Sequence, residues 1–154
     1  MLINEDEAEL LIEEHLRDQG WPLTDFTVTR KRWREHLDGE EADRVFLNEG
    51  KVVAILEAKK PGRDLWAALE QAKGYTRAYK RSTGQTGRVF LGVSGMNKAN
   101  GTGVIKEFWP TGSGGGVADA FDIWAEDSRH LLVPSDYYVD ANNAGEGLIV
   151  AYWT

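Results

Sequence analysis

Five consecutive apolar residues, Val52-Val53-Ala54-Ile55-Leu56, run straight into Glu57-Ala58-Lys59. A run this short, without polar alternation, fits a strand covered on both faces and therefore central in a sheet. Residues two apart on a strand share a face, so Glu57 and Lys59 point the same way and Ala58 the other. Burying a carboxylate and an ammonium at the end of such a strand costs desolvation energy unless other groups use them. Upstream, Arg44-Val45-Phe46-Leu47 is joined to the run by Asn48-Glu49-Gly50-Lys51, a hairpin signature in which Gly50 suits a positive φ.

The hairpin supplies a third group. With a three-residue loop, Asn48-Glu49-Gly50, Leu47 faces Lys51 and Asp43 faces Ile55. Asp43 is then on the face of Glu57 and diagonal to it, roughly 7–8 Å away at the backbone. A two-residue loop would turn Asp43 to the other face. Convergence of the two carboxylates thus requires an odd-length loop or a bulge. Two such hard oxygen ligands suit Mg²⁺, with Mn²⁺ as a substitute, because Mg²⁺ takes one or two carboxylates together with waters and substrate phosphate oxygens. The ion would acidify a bound water and stabilise the leaving oxygen, and Lys59 would orient the attacking water. An isolated Glu-x-Lys is more often a surface ion pair. The buried strand and the hairpin set this one apart.

The flanking segments supply covering layers. Ala8, Leu11, Ile12, His15 and Leu16 fall at helical spacing over about 5–19, and Gly20-Trp21-Pro22 ends that helix. Phe26 to Thr29 alternates as a strand does, and the basic stretch Arg30 to Arg34 reads as an exposed strand end or turn. After a break at Pro61-Gly62-Arg63, Asp64 suits a helix cap. Leu65, Ala68, Leu69, Ala72, Thr76 and Tyr79 then mark a buried stripe to about Arg81. Gln71 and Tyr75, four apart on that helix, share one face. Arg88 to Ser94 reads as a strand and Val104 to Trp109 as a weaker one. Ala120 to Trp124 and Leu148 to Trp153 also read as strands, and Gly112 to Gly116 as a flexible loop. The chain is expected to form a single domain over 1–154, with its motif core at about 41–94.

The net charge of −7 argues against a nucleic-acid partner only until its distribution is considered. Residues 1–20 carry seven acids and one base, whereas Lys59 to Arg88 carry eight bases and two acids. Lys60, Arg63, Lys73 and Arg77, in that second stretch, are the expected phosphate contacts. Other chemistries are thin. There is no cysteine for a disulfide or thiolate zinc site, and His15, His36 and His130 share no metal-ligand spacing. Ser94 is not in a nucleophile elbow, because Met96 stands where a glycine belongs. No Gly-x-x-x-x-Gly-Lys-Ser/Thr loop is present, so no ATP site is expected in this chain. With no apolar run of membrane-spanning length and an acidic start unlike a signal peptide, a cytoplasmic protein without a membrane partner is expected.

Ala42-Asp43, then Val53-Ala54-Ile55-Leu56-Glu57-Ala58-Lys59-Lys60-Pro61-Gly62, then Leu69-Glu70-Gln71-Ala72-Lys73-Gly74-Tyr75 together resemble a nuclease family. It is the N-terminal nuclease domain of the restriction subunit of type I restriction–modification enzymes, within the PD-(D/E)XK superfamily. The match is dense from about Glu41 to Arg77. The resemblance implies an α/β fold with a restriction-endonuclease-like three-layer core, a mixed sheet flanked by helices. It implies Mg²⁺-dependent cleavage of double-stranded DNA, metal ligation by Asp43 and Glu57, catalysis by Lys59, and support from Gln71 and Tyr75. It further implies an acid of the first helix, Glu5 or Glu9, near the metal. Motor, specificity and modification components of a restriction complex are the implied partners, with this chain either an excised module or a free-standing relative. Ala42 stands where the superfamily's proline would be. The alternative to a nuclease is a catalytically silent DNA-binding or assembly module with the same fold, which the complete Asp43, Glu57 and Lys59 set disfavours.

Overall fold

A computed structural model describes residues 3–60, 65–94, 112, 116–117, 120–121, 137–141 and 147–153. The elements in chain order are α1 (Glu5–Asp18), β1 (Thr29–Trp33), β2 (Ala42–Asn48), β3 (Lys51–Ala58), α2 (Leu65–Thr83), β4 (Val89–Ser94), β5 (Tyr137–Ala141) and β6 (Gly147–Trp153). The strands form one sheet in the order β1-β2-β3-β4-β6-β5. β3 and β4 are parallel and the other described pairs antiparallel. The apolar run is therefore a central strand, as its lack of alternation requires. α2 is the crossover that a parallel β3–β4 pair needs.

Each face of the sheet has its own helix and its own core. α1 contributes Ile12 and Leu16 to a cluster with Trp21, Phe46, Ala54, Leu56, Ala58, Phe90 and Phe121. Its N-terminus is held by a reciprocal capping box between Asn4 and Glu7. On the other face Ala68, Leu69, Ala72, Tyr75 and Tyr79 of α2 pack on Val45, Leu47, Val52, Ile55, Leu91 and Val93. Helix, sheet and helix make the three layers of a restriction-endonuclease-like α/β core. Truncating Leu56 or Ile55 in such a core typically costs about 2–5 kcal/mol.

Several expectations are corrected. Phe26 to Val28 form a turn, and the strand starts only at Thr29. The Asp25 carboxylate accepts from the Thr27 amide and hydroxyl, and its carbonyl accepts from the amides of Val28 and Thr29. That local arrangement outcompetes a ladder and leaves Phe26 exposed. Ala120 and Phe121 are helical rather than extended, and Phe121 packs between Phe90 and Phe46. Gly112 is tied down, its amide donating to the Gln19 carbonyl at 2.9 Å. A Cβ there would lie 2.7 Å from the Trp21 ring and 2.8 Å from the Trp21 backbone. The stretches 61–64 and 104–109, with His130, lie outside the described residues.

The hairpin register differs from the expected one, yet keeps its parity. Asn48 pairs with Lys51, leaving a two-residue loop in which Glu49 and Gly50 both have positive φ, 51° and 79°. By itself this loop would have sent Asp43 to the wrong face. The register then shifts between Leu47↔Val52 and Phe46↔Ala54, a β-bulge with Val53 as the extra residue. Pairing continues as Val45↔Ile55 and Arg44↔Leu56, which brings Asp43 level with Glu57 itself rather than Ile55. The bulge is fixed from α2 and the segment after it. The Val52 amide donates to the Tyr79 hydroxyl at 3.0 Å, and Gln85 Nε2 donates to the Val52 carbonyl at 2.9 Å.

Candidate active site

β3 delivers Glu57 to the end of the sheet, where its side chain is 1% exposed. β2 delivers Asp43 beside it, and the two residues clasp. The Asp43 amide donates to Glu57 Oε1 at 3.0 Å, and the Ala58 amide donates to Asp43 Oδ2 at 2.8 Å. Lys59, just beyond the strand, holds its ammonium 3.9 Å from Glu57 Oε2 while its own side chain is 20% exposed. Burial, and after it the neighbouring Asp43 charge, push the Glu57 carboxyl up to about 9; Lys59 opposes the shift only in part.

α1 closes the site from one side. Glu9, Glu13 and Ile12 line a small recess together with Asp43, Arg44, Leu56 and Ala58. The Glu9 carboxyl is raised by burial and then by Asp43. Glu5 is exposed, so Glu9 is the first-helix acid that approaches Asp43. α2 closes the other side with Tyr75, which is 4% exposed. Its hydroxyl is pushed up by burial and then by Glu57. Gln71, one turn earlier, is exposed. The α2 cations divide: Arg77 is exposed, whereas Lys73 is buried with its ammonium 3.3 Å from Glu70. Lys60 is half-buried, and Arg63 lies outside the described residues.

Sequence reading put the basic stretch Arg30 to Arg34 on an exposed strand end or turn and missed that its cations, with Arg44, meet the acids of α1. Asp6, Glu9 and Glu13 are spaced as one helical face, and cations of β1 and β2 meet them. Arg32 Nη2 lies 2.9 Å from Glu9 and 3.8 Å from Asp6, and Lys31 Nζ lies 3.6 Å from Glu13. The buried Arg44 reaches Glu13 at 3.3 Å and the Thr29 hydroxyl at 3.1 Å. The acid spacing was visible in the sequence. Which strand it would face was not.

Among the described residues no group of three or more His, Cys, Asp or Glu side chains forms a ready metal cage. No helix among them is long and apolar enough to cross a membrane. The fold and the paired acids at the end of its central strand define a restriction-endonuclease-like α/β domain. Residues 23–97, just under half of the chain, match the family described as the type I restriction enzyme R protein N terminus. That is the family the sequence resembles, and the matched span holds Asp43, Glu57, Lys59, Gln71 and Tyr75. No curated protein and no solved structure matches the chain.

Proposed function

We propose that this chain is a Mg²⁺-dependent endonuclease that hydrolyses phosphodiester bonds of double-stranded DNA, as the nuclease module of a type I restriction system. One observation carries this reading: half-buried Asp43 and buried Glu57 meet at the end of the central strand, with Lys59 3.9 Å from Glu57. The donor set fits the ion. Hard carboxylate oxygens suit Mg²⁺ or Mn²⁺, and a divalent cation is the charge that would offset buried Glu57 beside half-buried Asp43. Asp43 and Glu57 would hold it, and Glu9 lines the recess beside Asp43. When bound, the ion supplies a more acidic water and charge neutralisation at the scissile phosphate.

This chain's own groups do the rest. Lys59 orients the attacking water and stabilises negative charge on the phosphoryl oxygens. The clasp between β2 and β3 fixes both carboxylates on rigid backbone, so little reorganisation is needed when substrate arrives. Tyr75, buried and close enough to be perturbed by Glu57 and Asp43, braces the site from α2, and exposed Gln71 faces incoming substrate. Lys60, Arg63 and Arg77 contact backbone phosphates, which position DNA without reading its sequence. Lys73 belongs with them only if it exchanges Glu70 for a phosphate. Specificity and translocation then come from the motor, specificity and modification components of a restriction complex, in the cytoplasm where the DNA is.

A supercoiled-plasmid assay with Mg²⁺ and Mn²⁺, wild type beside Lys59→Ala, tests the reading. Nicking by the wild type and its loss in the variant are expected, at least about 100-fold for removal of a group that stabilises transition-state charge. Retained cutting by Lys59→Ala would remove the mechanism. Salt-sensitive DNA binding without cutting by the wild type would leave a silent module.

A further inference from the structure

Arg32 stands inside a strand but does not have a strand conformation. Its neighbours Lys31 and Trp33 pair with Arg44 and Ala42 of β2, so Arg32 sits level with Asp43, yet its φ is +59°. That left-handed region is disfavoured for any residue with a Cβ. His36 and Asp38 also have positive φ, but they belong to the connection between β1 and β2, where the chain must turn. Nothing of the kind is required at Arg32.

The backbone excursion has a visible result. It aims the guanidinium at α1 and at the start of β2, with Nη2 2.9 Å from Glu9 Oε2 and 3.8 Å from Asp6 Oδ1, and Nη1 3.6 Å from Glu41 Oε1. The Arg32 side chain is 50% exposed, and ion pairs that exposed repay little strain by themselves. Their position is what matters. Glu9 is 18% exposed and lines the recess that Asp43 and Ala58 also line. The strained residue therefore puts the one delocalised, permanently charged group of β1 that reaches Glu9 at the border of the acid pair. Strain held at such a place is commonly part of how a site works.

We propose that Arg32 is a tethered cation that neutralises the acids around the centre while no divalent ion is held, so that metal loading and the Arg32–Glu9 pair compete for the Glu9 carboxylate. Arg32 is thus a positioning residue and a brake on metal entry. The inference rests on the Asp43–Glu57 pair being a divalent-cation centre. It adds that the centre's affinity for metal is set lower than its carboxylates alone would make it.

Titration of the metal-free chain with MnCl₂ alone, followed by calorimetry, tests this in wild type, Arg32→Met, Arg32→Gly and Asp43→Asn. Thermal unfolding in EDTA runs beside it. Both Arg32 variants should bind Mn²⁺ about fivefold or more tightly than wild type, the scale of an ordinary coupling between two sites. In EDTA, Arg32→Met should melt lower than wild type, whereas Arg32→Gly should lose less because glycine accepts the left-handed backbone. Equal Mn²⁺ affinity in wild type and the Arg32 variants overturns the competition. Weaker binding in folded variants overturns it too, and would mean that Arg32 only holds Glu9 in place. Wild-type binding that Asp43→Asn abolishes shows that the centre itself is sound, so either result then counts against Arg32 alone. Absence of such binding in wild type sinks the centre and this inference together.

Discussion

Replacing Glu57 with glutamine should stabilise the protein in EDTA at alkaline pH while abolishing the proposed cutting. The Glu57 side chain is 1% exposed, and its carboxyl is raised from an ordinary 4.5 to about 9 by burial and then by Asp43. Between those two values the folded chain keeps a proton that the unfolded chain releases. Stability from this group is therefore full below about pH 4.5 and is lost as pH climbs toward 9. From pH 5 to pH 8 the one-proton difference has a ceiling of about 4 kcal/mol, at roughly 1.4 kcal/mol per pH unit. Glutamine keeps an oxygen for the Asp43 amide, which now donates to Glu57 at 3.0 Å, and it does not ionise. In EDTA the variant should match wild type near pH 5 and exceed it by about 2–4 kcal/mol at pH 8, or on the order of 5–15 °C in Tm. Urea or thermal unfolding at pH 5, 6, 7 and 8 reads this directly. Added Mn²⁺ should raise the wild-type Tm and leave the variant unchanged. A gap between wild type and Glu57→Gln that stays constant with pH, or a less stable variant at pH 8, would refute the idea of a buried acid kept beside Asp43 at a cost for a cation.

Other residues give shorter tests. Tyr79→Phe removes the hydroxyl that accepts from the Val52 amide at the bulge and should cost about 1–3 kcal/mol by chemical denaturation, with cutting reduced as the hairpin register loosens. Gly112→Ala should lower Tm measurably, because the new methyl would meet the Trp21 ring and backbone at 2.7–2.8 Å; an unchanged Tm would show that this contact yields freely. Gln71→Ala should reduce plasmid nicking with little change in stability, within about 0.5 kcal/mol as for exposed positions generally, since Gln71 is exposed on α2. A collapsed fold would instead make Gln71 structural.

Much of this was decided by local rules that a sequence displays. The unbroken apolar run Val52 to Leu56 is central because neither of its faces can meet water. Glu57 and Lys59 share a face because strands repeat every two residues. The stripes Ala8–Ile12–Leu16 and Ala68–Leu69–Ala72 cover the two sides because helices repeat every 3.6. What no local rule could supply is the pairing of Asp43 with Glu57. The two-residue turn, made by Glu49 and Gly50 with positive φ, dictates the wrong parity, and one extra residue at Val53 restores it. That bulge persists because Tyr79 and Gln85, 27 and 33 residues further along, satisfy the Val52 amide and carbonyl that a regular ladder would leave elsewhere. The choice of Glu9 over Glu5, and the reach of Arg32 toward it, likewise depend on how α1 lies across β1 and β2. Faces and periods are properties of a segment. The meeting of two carboxylates is a property of packing, set by groups far apart in the chain.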